Sequence, residues 1–365
     1  MPGTIWGALN LNDNDERRVN VIGHQTVWDA VQQLLNEFNE ELRLARGVWV
    51  EEDTTLLTEA YKLPGGGYLQ EMTNIGQPGA RKVEGEWEVA YPLFNLGDQL
   101  ADNEIELAYM TLPEFQRHLD AVWTRGANSM RREILKAIFP NVNFSVKDQT
   151  VKVNLTVKPL ANGDTDKYSP KMGTEDLITE NHYLVSGYAA ADIDEDNNPI
   201  ETMTDHLEEH FGGGAIGGRD CVVFINKSER KKVKALPNFS DEGLDEHLAP
   251  GADVTTVVGL PQGLPGTVIG TAGAWIAEWN YIPPGYMKAI HLRAPKPLKR
   301  RVDPADVGLG SGDLQLVQKD KSFPLQSAFY RHRYGFGAAN RLNGVVMQLT
   351  TNPTYTIPSI YKRVP

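Results

Sequence analysis

TLPEFQRHLDAVWTRGANSMRREILKAIF, residues 111–139, is the longest uninterrupted helical signal in the chain. Apolar positions recur every three or four residues at Leu112, Phe115, Leu119, Val122, Met130, Ile134 and Ile138, with Gly126 on the same stripe. Such spacing turns one helix face to a core. Arg117, Asp120, Arg125, Arg131, Arg132 and Lys136 occupy positions between. Thr111 ahead of Glu114 predicts a capping box, Pro113 suits the first turn, and Pro140-Asn141 ends the run. At 1.5 Å per residue the helix is a rod of about 40 Å, longer than most globular helices. A mid-helix glycine costs roughly 1 kcal/mol against alanine, so Gly126 predicts close packing or a bend. Strand-rich segments flank this helix on both sides, which makes it a structural spine.

Composition sets the class around it. A chain of 365 residues has room for two or three compact units. Its 41% hydrophobic and 23% charged content is that of a folded soluble protein. The 34 glycines and 22 prolines favour turns and extended loops over a helical bundle. One cysteine, Cys221, excludes an internal disulfide framework and fits a reducing compartment. No charged-then-apolar leader opens the chain and no apolar run reaches a membrane span, so no membrane partner is expected. The net charge of −12 argues against a protein whose main task is gripping DNA or RNA.

Upstream of the spine, residues 1–25 are rich in Asn and Asp, with a short strand candidate at Val19–Ile22, and read as an arm ordered by a partner surface. Thr26 caps an amphipathic helix carrying Trp28, Val31, Leu35, Phe38, Leu42 and Ala45, closed by Gly47. Residues 54–106 show turn chemistry and no helix. Within them Val83–Tyr91 alternates Val83, Gly85, Trp87, Val89 and Tyr91 against Glu84, Glu86 and Glu88, a half-exposed strand of a long hairpin. A two-stranded ribbon is marginal alone in water, so the same chain or a neighbour must cover the Trp87 face.

Downstream, Val151, Val153, Leu155 and Val157 alternate as a second two-faced strand. Tyr183–Ala191, a helix from Pro199 to Phe211 and the apolar run Cys221–Ile225 read as strand, helix and a strand buried on both faces, an α/β unit. Ser228–Leu236 is a basic helix candidate. Strands follow at Thr267–Gly270, Ala274–Asn280 and Tyr286–Leu292, the last two joined by the tight turn Ile282-Pro283-Pro284-Gly285. Residues 294–312 read as a connector, and Leu314–Val317, Ala328–Phe336 and Val345–Thr350 as further strands. There is no internal repeat.

Catalytic patterns are weak. His206-Leu207-Glu208-Glu209-His210 matches H-x-x-E-H, in which two histidines share a zinc and Glu209 is the base. Met203, Leu207 and Phe211 define the buried face, however, and leave both histidines on a solvated flank. Gly212–Gly217 matches G-x-G-x-x-G but follows a helix and enters a strand, the reverse of a dinucleotide site. Asp192, Asp194 and Asp196 open with calcium-loop spacing but lack its glycine and its terminal glutamate. Cys221 lies in an apolar strand and reads as core. No catalytic, cofactor or metal residues are assigned. The basic runs Arg230–Lys234 and Lys299–Arg301 suit nucleic acid, a solvated face, or the Glu84/Glu86/Glu88 stripe of another copy.

Gly266–Gly270, Trp275–Asn280, Ile282–Tyr286, Arg333-Tyr334-Gly335-Phe336-Gly337 and Arg341-Leu342-Asn343-Gly344 resemble the closing segments of tailed-bacteriophage major capsid proteins. That capsid fold is shared with encapsulins and herpesvirus capsid floors. Asn181-His182-Tyr183-Leu184 adds to the likeness, as does the order of parts along nearly the whole chain. The resemblance implies an α+β fold: an N-terminal arm and helix (1–53), an extended hairpin loop (54–106), a peripheral domain with the spine helix (107–182), an axial α/β domain (183–312) and peripheral return strands (313–365).

It also implies a non-enzymatic shell subunit without cofactor, assembled as hexamers and pentamers of an icosahedral head around double-stranded DNA held without sequence-specific binding. The expected partners are copies of itself, a separate scaffolding protein, a portal and decoration proteins. The expected location is the virion, with the host cytoplasm during assembly. Segment 1–53 is shorter than the fused scaffolding domain some relatives carry, so a separate scaffolding protein is the expectation unless a prodomain has been removed. Candidate inter-subunit contacts are Lys62, Tyr68, Glu84, Glu86, Trp87 and Glu88 in the loop, and Arg230, Lys231 and Lys232. Some relatives weld subunits through a Lys–Asn isopeptide. Lys62 and Lys82 lie in the loop, but no partner or catalytic acid matches, so that chemistry is not carried over. The alternatives are an encapsulin-type compartment shell and, from another class, a zinc hydrolase using His206, Glu209 and His210.

Overall fold

A computed structural model of the chain describes residues 18–22, 24–62, 86–99, 109–169, 177–212, 220–237, 239–241, 267–269, 274–310, 312–318 and 328–363, with positions 69, 71, 72, 76, 171, 172 and 174. The first described elements are one helical turn, α1 (Val19–Ile22), and α2 (His24–Arg46). Val19–Ile22 is therefore not the expected strand. Among the described residues no strand edge pairs with it, and Val21 N–H closes locally on the Arg18 carbonyl at 2.9 Å. Strands β1 (Val50–Thr54), β2 (Thr58–Lys62), β3 (Glu86–Ala90) and β4 (Phe94–Asp98) lead to the spine, α3 (Leu112–Ile138). Then come β5 (Phe144–Lys147), β6 (Asn154–Val157), β7 (Tyr183–Val185), α4 (Pro199–Phe211), β8 (Cys221–Ile225) and α5 (Arg230–Val233). The remainder is strand: β9 (Ser240–Asp241), β10 (Thr267–Ile269), β11 (Ala274–Glu278), β12 (Tyr286–His291), β13 (Leu298–Arg301), β14 (Gln315–Gln318), β15 (Ala328–Ala338) and β16 (Val345–Gln348). Among the described residues no helix is long and apolar enough to cross a membrane.

The spine begins and ends where its sequence dictates. Thr111 caps it in an extended conformation, and its N–H donates to the Glu114 carboxylate at 3.1 Å. The first half of its apolar stripe, Leu112, Phe115, Leu119 and Val122, packs on Val27, Val31, Leu34 and Leu35 of α2. The second half, Met130, Ile134, Leu135 and Ile138, packs on Trp49, Phe224, Trp275, Tyr334 and Phe336. One helix thus joins two cores. Gly126 sits where they meet; a methyl there would touch Leu314 at 3.4 Å and the Phe38 ring at 3.9 Å.

Two mixed sheets flank these cores. The larger runs β7-β16-β12-β8-β11-β10-β9, and the smaller β1-β13-β15-β14 with β4 also on β15. Central strand β8 sends Cys221, Val223 and Ile225 towards Met203 and Leu207 of α4, and Val222 and Phe224 towards the spine side. This two-sided burial is why its sequence is apolar throughout. The turn at Pro283–Gly285 forms as expected, with Gly285 at φ 77° and Tyr286 N–H on the Pro283 carbonyl at 3.1 Å. The strands it joins are not neighbours, because β8 lies between them, parallel to β11 and antiparallel to β12.

Three further readings change. The 151–157 strand starts only at Asn154, because Asp148 accepts the N–H groups of Thr150 and Val151, both at 2.8 Å, and Lys152 takes φ 62° in the turn between β5 and β6. The 183–191 strand stops at Val185. The 294–312 connector contains β13, which joins β1 to β15 in the smaller sheet, while β16 of the closing segment lies in the larger one.

Candidate functional site

Strands β2 and β3 form the foot of a hairpin, with Lys62 opposite Glu86 and Tyr61 opposite Trp87. The alternation read from sequence holds here: Glu86 and Glu88 are exposed and Trp87 and Val89 buried. What covers Trp87 is the chain itself. Its ring lies 5.5 Å from both the Tyr61 and the Tyr168 rings, beside Ala161, Ala339 and Leu342. Trp87 is therefore an internal anchor rather than a side chain presented to another subunit. The hydroxyls of Tyr61 and Tyr91 both donate to Glu59 Oε2, at 2.7 and 2.9 Å, and Lys299 reaches the same carboxylate at 3.0 Å. Burial raises the Tyr91 phenol well above its ordinary range. Tyr68 and Glu84 lie outside the described residues, as does the Lys62 side chain. Leu69 and Met72 are exposed, as is Leu56 just before β2.

The two basic runs differ. Lys231 and Lys232 on α5 are exposed, whereas Arg230 turns to the buried carboxylate of Glu278 at 3.3 Å. Lys299–Arg301 is not a surface run at all. Arg300 is 1% exposed, holding Asp53 through both carboxylate oxygens and Asp313 at 3.1 Å. Arg301 is buried on Asp148, and Lys299 joins Glu52 and Glu59. These cations are spent on internal carboxylates, which removes them as a nucleic-acid surface.

The histidine pair on α4 is also not on a solvated flank. At 100° per residue His206 and His210 lie within about 60° of Met203, and the helix buries that flank against the segment entering β7. The side chains of His210 and His206 are 2% and 18% exposed. Fully buried His182 sits between them, its ring 4.7 Å from His206 and 5.5 Å from His210. Glu180 faces both, at 3.8 Å from His206 Nε2 and 3.9 Å from His210 Nε2. Burial lowers the pKa of all three imidazoles, most strongly that of His182. Glu209, the would-be base, instead pairs with Lys171, which also lies 3.5 Å from Glu180. Burial likewise holds Lys288, behind His182, well below a normal lysine. Sequence reading missed Glu180 and His182 as members of this cluster, since nothing in local spacing links positions 182 and 206.

The remaining motifs carry no site. Asp194 accepts Asn197 N–H at 2.9 Å and the Asn197 amide donates to the Asp192 carbonyl at 3.1 Å, closing the acidic turn on itself. Cys221 is buried in β8, with its thiol pushed up to about 12 by burial. Gly213–Gly217 lies outside the described residues.

The strings that carry the family resemblance hold the return strands to the body. Arg341, fully buried, donates to the carbonyls of Pro159 (2.7 Å) and Leu160 (3.3 Å) and to Asp164 (2.7 Å) and Asp166 (2.5 Å). Asn343 bonds both backbone groups of His291, accepting its N–H at 2.8 Å and donating to its carbonyl at 2.9 Å. Gly344 leaves the space that Lys288 Nζ occupies, 2.1 Å from where a Cβ would stand.

No protein-family model matches the chain, and no curated protein does. Among solved structures it is similar to one from Mycobacterium phage Patience, at 20% identity and a TM-score of 0.64, over 100% of this chain and 98% of that one. It is similar also to a chain of the mature capsid of bacteriophage PhiM1, at 10% identity and a TM-score of 0.50, over 83% of this chain and 86% of that one. The α+β architecture expected from the sequence is the one these structures share.

Proposed function

We propose that this chain, built on the tailed-phage major capsid fold, is the shell subunit of a phage head. Its copies tile hexamers and pentamers around packaged double-stranded DNA. The observation that carries the reading is the end-to-end likeness to the Patience structure, over 100% of this chain and 98% of that one.

In this reading segment 1–53 is the arm and first helix, 54–106 the extended loop, 107–182 and 313–365 the peripheral domain, and 183–312 the axial domain. Glu84, Glu86 and Glu88 present one charge sign to a neighbouring copy, and Lys231 and Lys232 on α5 offer the opposite sign. Contacts between identical subunits hold the shell, without any covalent chemistry. A separate scaffolding protein, a portal and decoration proteins complete the set of partners. The subunit resides in the virion, and in the host cytoplasm while heads assemble. The role is structural and non-enzymatic.

Light scattering on the expressed chain, alone and with the neighbouring scaffold gene, tests the proposal. Closed particles of megadalton mass, visible by electron microscopy, are expected. A chain that stays monomeric under both conditions contradicts it. Particles that carry an enzyme cargo instead of DNA would point to the encapsulin alternative.

A further inference from the structure

We propose that Glu180, His182 and His210, with His206 beside them, bind a divalent transition metal of zinc type, which clasps α4 to the segment entering β7. Imidazole nitrogen and carboxylate oxygen are the donors such ions take. The donor atoms of Glu180, His182 and His210 lie within 4.8 Å of one another. Donors around a four-coordinate zinc stand about 3.3 Å apart, so modest side-chain rotation closes the set. His206 Nε2 lies 3.8 Å from Glu180, outside that three-residue set, and is the candidate fourth donor.

Three observations point to an ion rather than to a cluster of core histidines. His182 Nδ1 lies 3.0 Å from the Gly344 carbonyl. A carbonyl only accepts, so Nδ1 carries the proton and Nε2 turns its lone pair into the cluster, the arrangement that orients a metal-binding histidine. The Nε2 atoms of His182 and His206 and both ring nitrogens of His210 are buried with no hydrogen-bond partner. Buried polar atoms are nearly always satisfied, and one ion satisfies three of these at once. His210 also lines a cleft of about 510 Å³ with Trp87, Phe211 and Leu342, which brings solvent to the edge of the cluster.

The site is not the hydrolytic one that H-x-x-E-H suggests. Glu209 is held by Lys171, and the third histidine comes from another segment. The ion fastens two elements of the larger sheet's edge and does no chemistry.

The test uses the purified full chain, assembled or not. Metal content is measured by mass spectrometry, and Zn²⁺ and Co²⁺ are titrated after chelation. Near-stoichiometric zinc, visible ligand-field bands with cobalt and a Tm that falls on chelation are expected. His182→Gln and His210→Gln should weaken binding at least tenfold, His206→Gln less, and Glu209→Gln not at all. Sub-stoichiometric zinc without cobalt bands in the wild-type chain overturns the proposal, whatever the variants do. So does equal affinity in wild type and folded His206→Gln and His210→Gln. Neither outcome bears on whether shells form.

Discussion

Asp148 and Arg301, 153 positions apart, meet at 2.7 Å in an ion pair buried on both sides. The same Arg301 nitrogen donates to the Tyr91 carbonyl at 2.9 Å, and the other oxygen of Asp148 takes the turn N–H groups of Thr150 and Val151. One carboxylate therefore fastens the β5–β6 turn to β13 and to the end of the hairpin foot. Removing it leaves a buried guanidinium uncompensated, which costs about 3–5 kcal/mol. Asp148→Ala is expected to lower unfolding stability by that amount in urea titration. A loss below about 1 kcal/mol would show the pair is relaxed by solvent.

The hairpin can be shortened without touching its anchor. Lys62 and Glu86 are cross-strand partners, so an Asn-Gly turn joins them in register. Replacing residues 63–85 by Asn-Gly keeps Tyr61, Trp87 and Val89 in place. The shortened chain should be soluble, with a Tm near that of wild type, and should form no shells by electron microscopy. Normal heads from it would remove the loop from assembly.

Charge reversal asks a narrower question of the same ribbon. Glu86 and Glu88 are exposed, so lysine at both leaves the packed face alone, and Glu84 is changed with them to reverse the whole stripe. Assembly at moderate salt should fail while the subunit's Tm stays within about 2 °C, as expected for surface substitutions. Unimpaired assembly would show that the stripe faces only water.

Acid stability has a single-residue handle away from the histidine cluster. Burial, with Arg300 and Arg46 nearby, pushes the His332 imidazole down to about 3, against the Tyr334 ring at 4.2 Å. The unfolded chain protonates this group below about pH 6.5 and the folded chain does not. Its contribution is thus complete above pH 6.5 and is lost as pH falls towards 3. His332→Phe should flatten stability against pH in that window by one proton, about 1.4 kcal/mol per pH unit. Parallel curves for the two proteins would mean the ring is protonated in the fold.

The spine tolerates improvement. An alanine methyl at 126 meets Leu314 and Phe38 at ordinary contact distances. Gly126→Ala should therefore gain up to about 1 kcal/mol from helix propensity, read as a higher Tm. A loss would mean that the α2–α3 contact needs the glycine.

Elements with a period were legible in the sequence, and elements held by charge were not. The stripe from Leu112 to Ile138, the alternation about Trp87 and the apolar run of β8 each state their burial in local spacing. The β13 sequence Leu-Lys-Arg-Arg states the opposite of its burial, because its arginines are neutralised by Asp53, Asp148 and Asp313 from three distant segments. The Pro283–Gly285 turn was visible, but not the insertion of β8 between the strands it joins. The histidine cluster was half legible. His206 and His210 announce themselves by spacing, whereas His182 and Glu180 arrive through sheet topology.

The stack of Tyr61, Trp87 and Tyr168 has a mechanical meaning. Tyr168 ends the loop gripped by Arg341, whose guanidinium lies 5.5 Å from its ring, and Arg341 lies three residues beyond the end of β15. A pull on the ribbon beyond Lys62 and Glu86 is thus received by a closed chain of aromatic and ionic contacts before it reaches the spine. In the proposed shell, strain that neighbouring copies put on the ribbon would be shared by the whole subunit, so the ribbon would work as a lever arm and not as a loose tether.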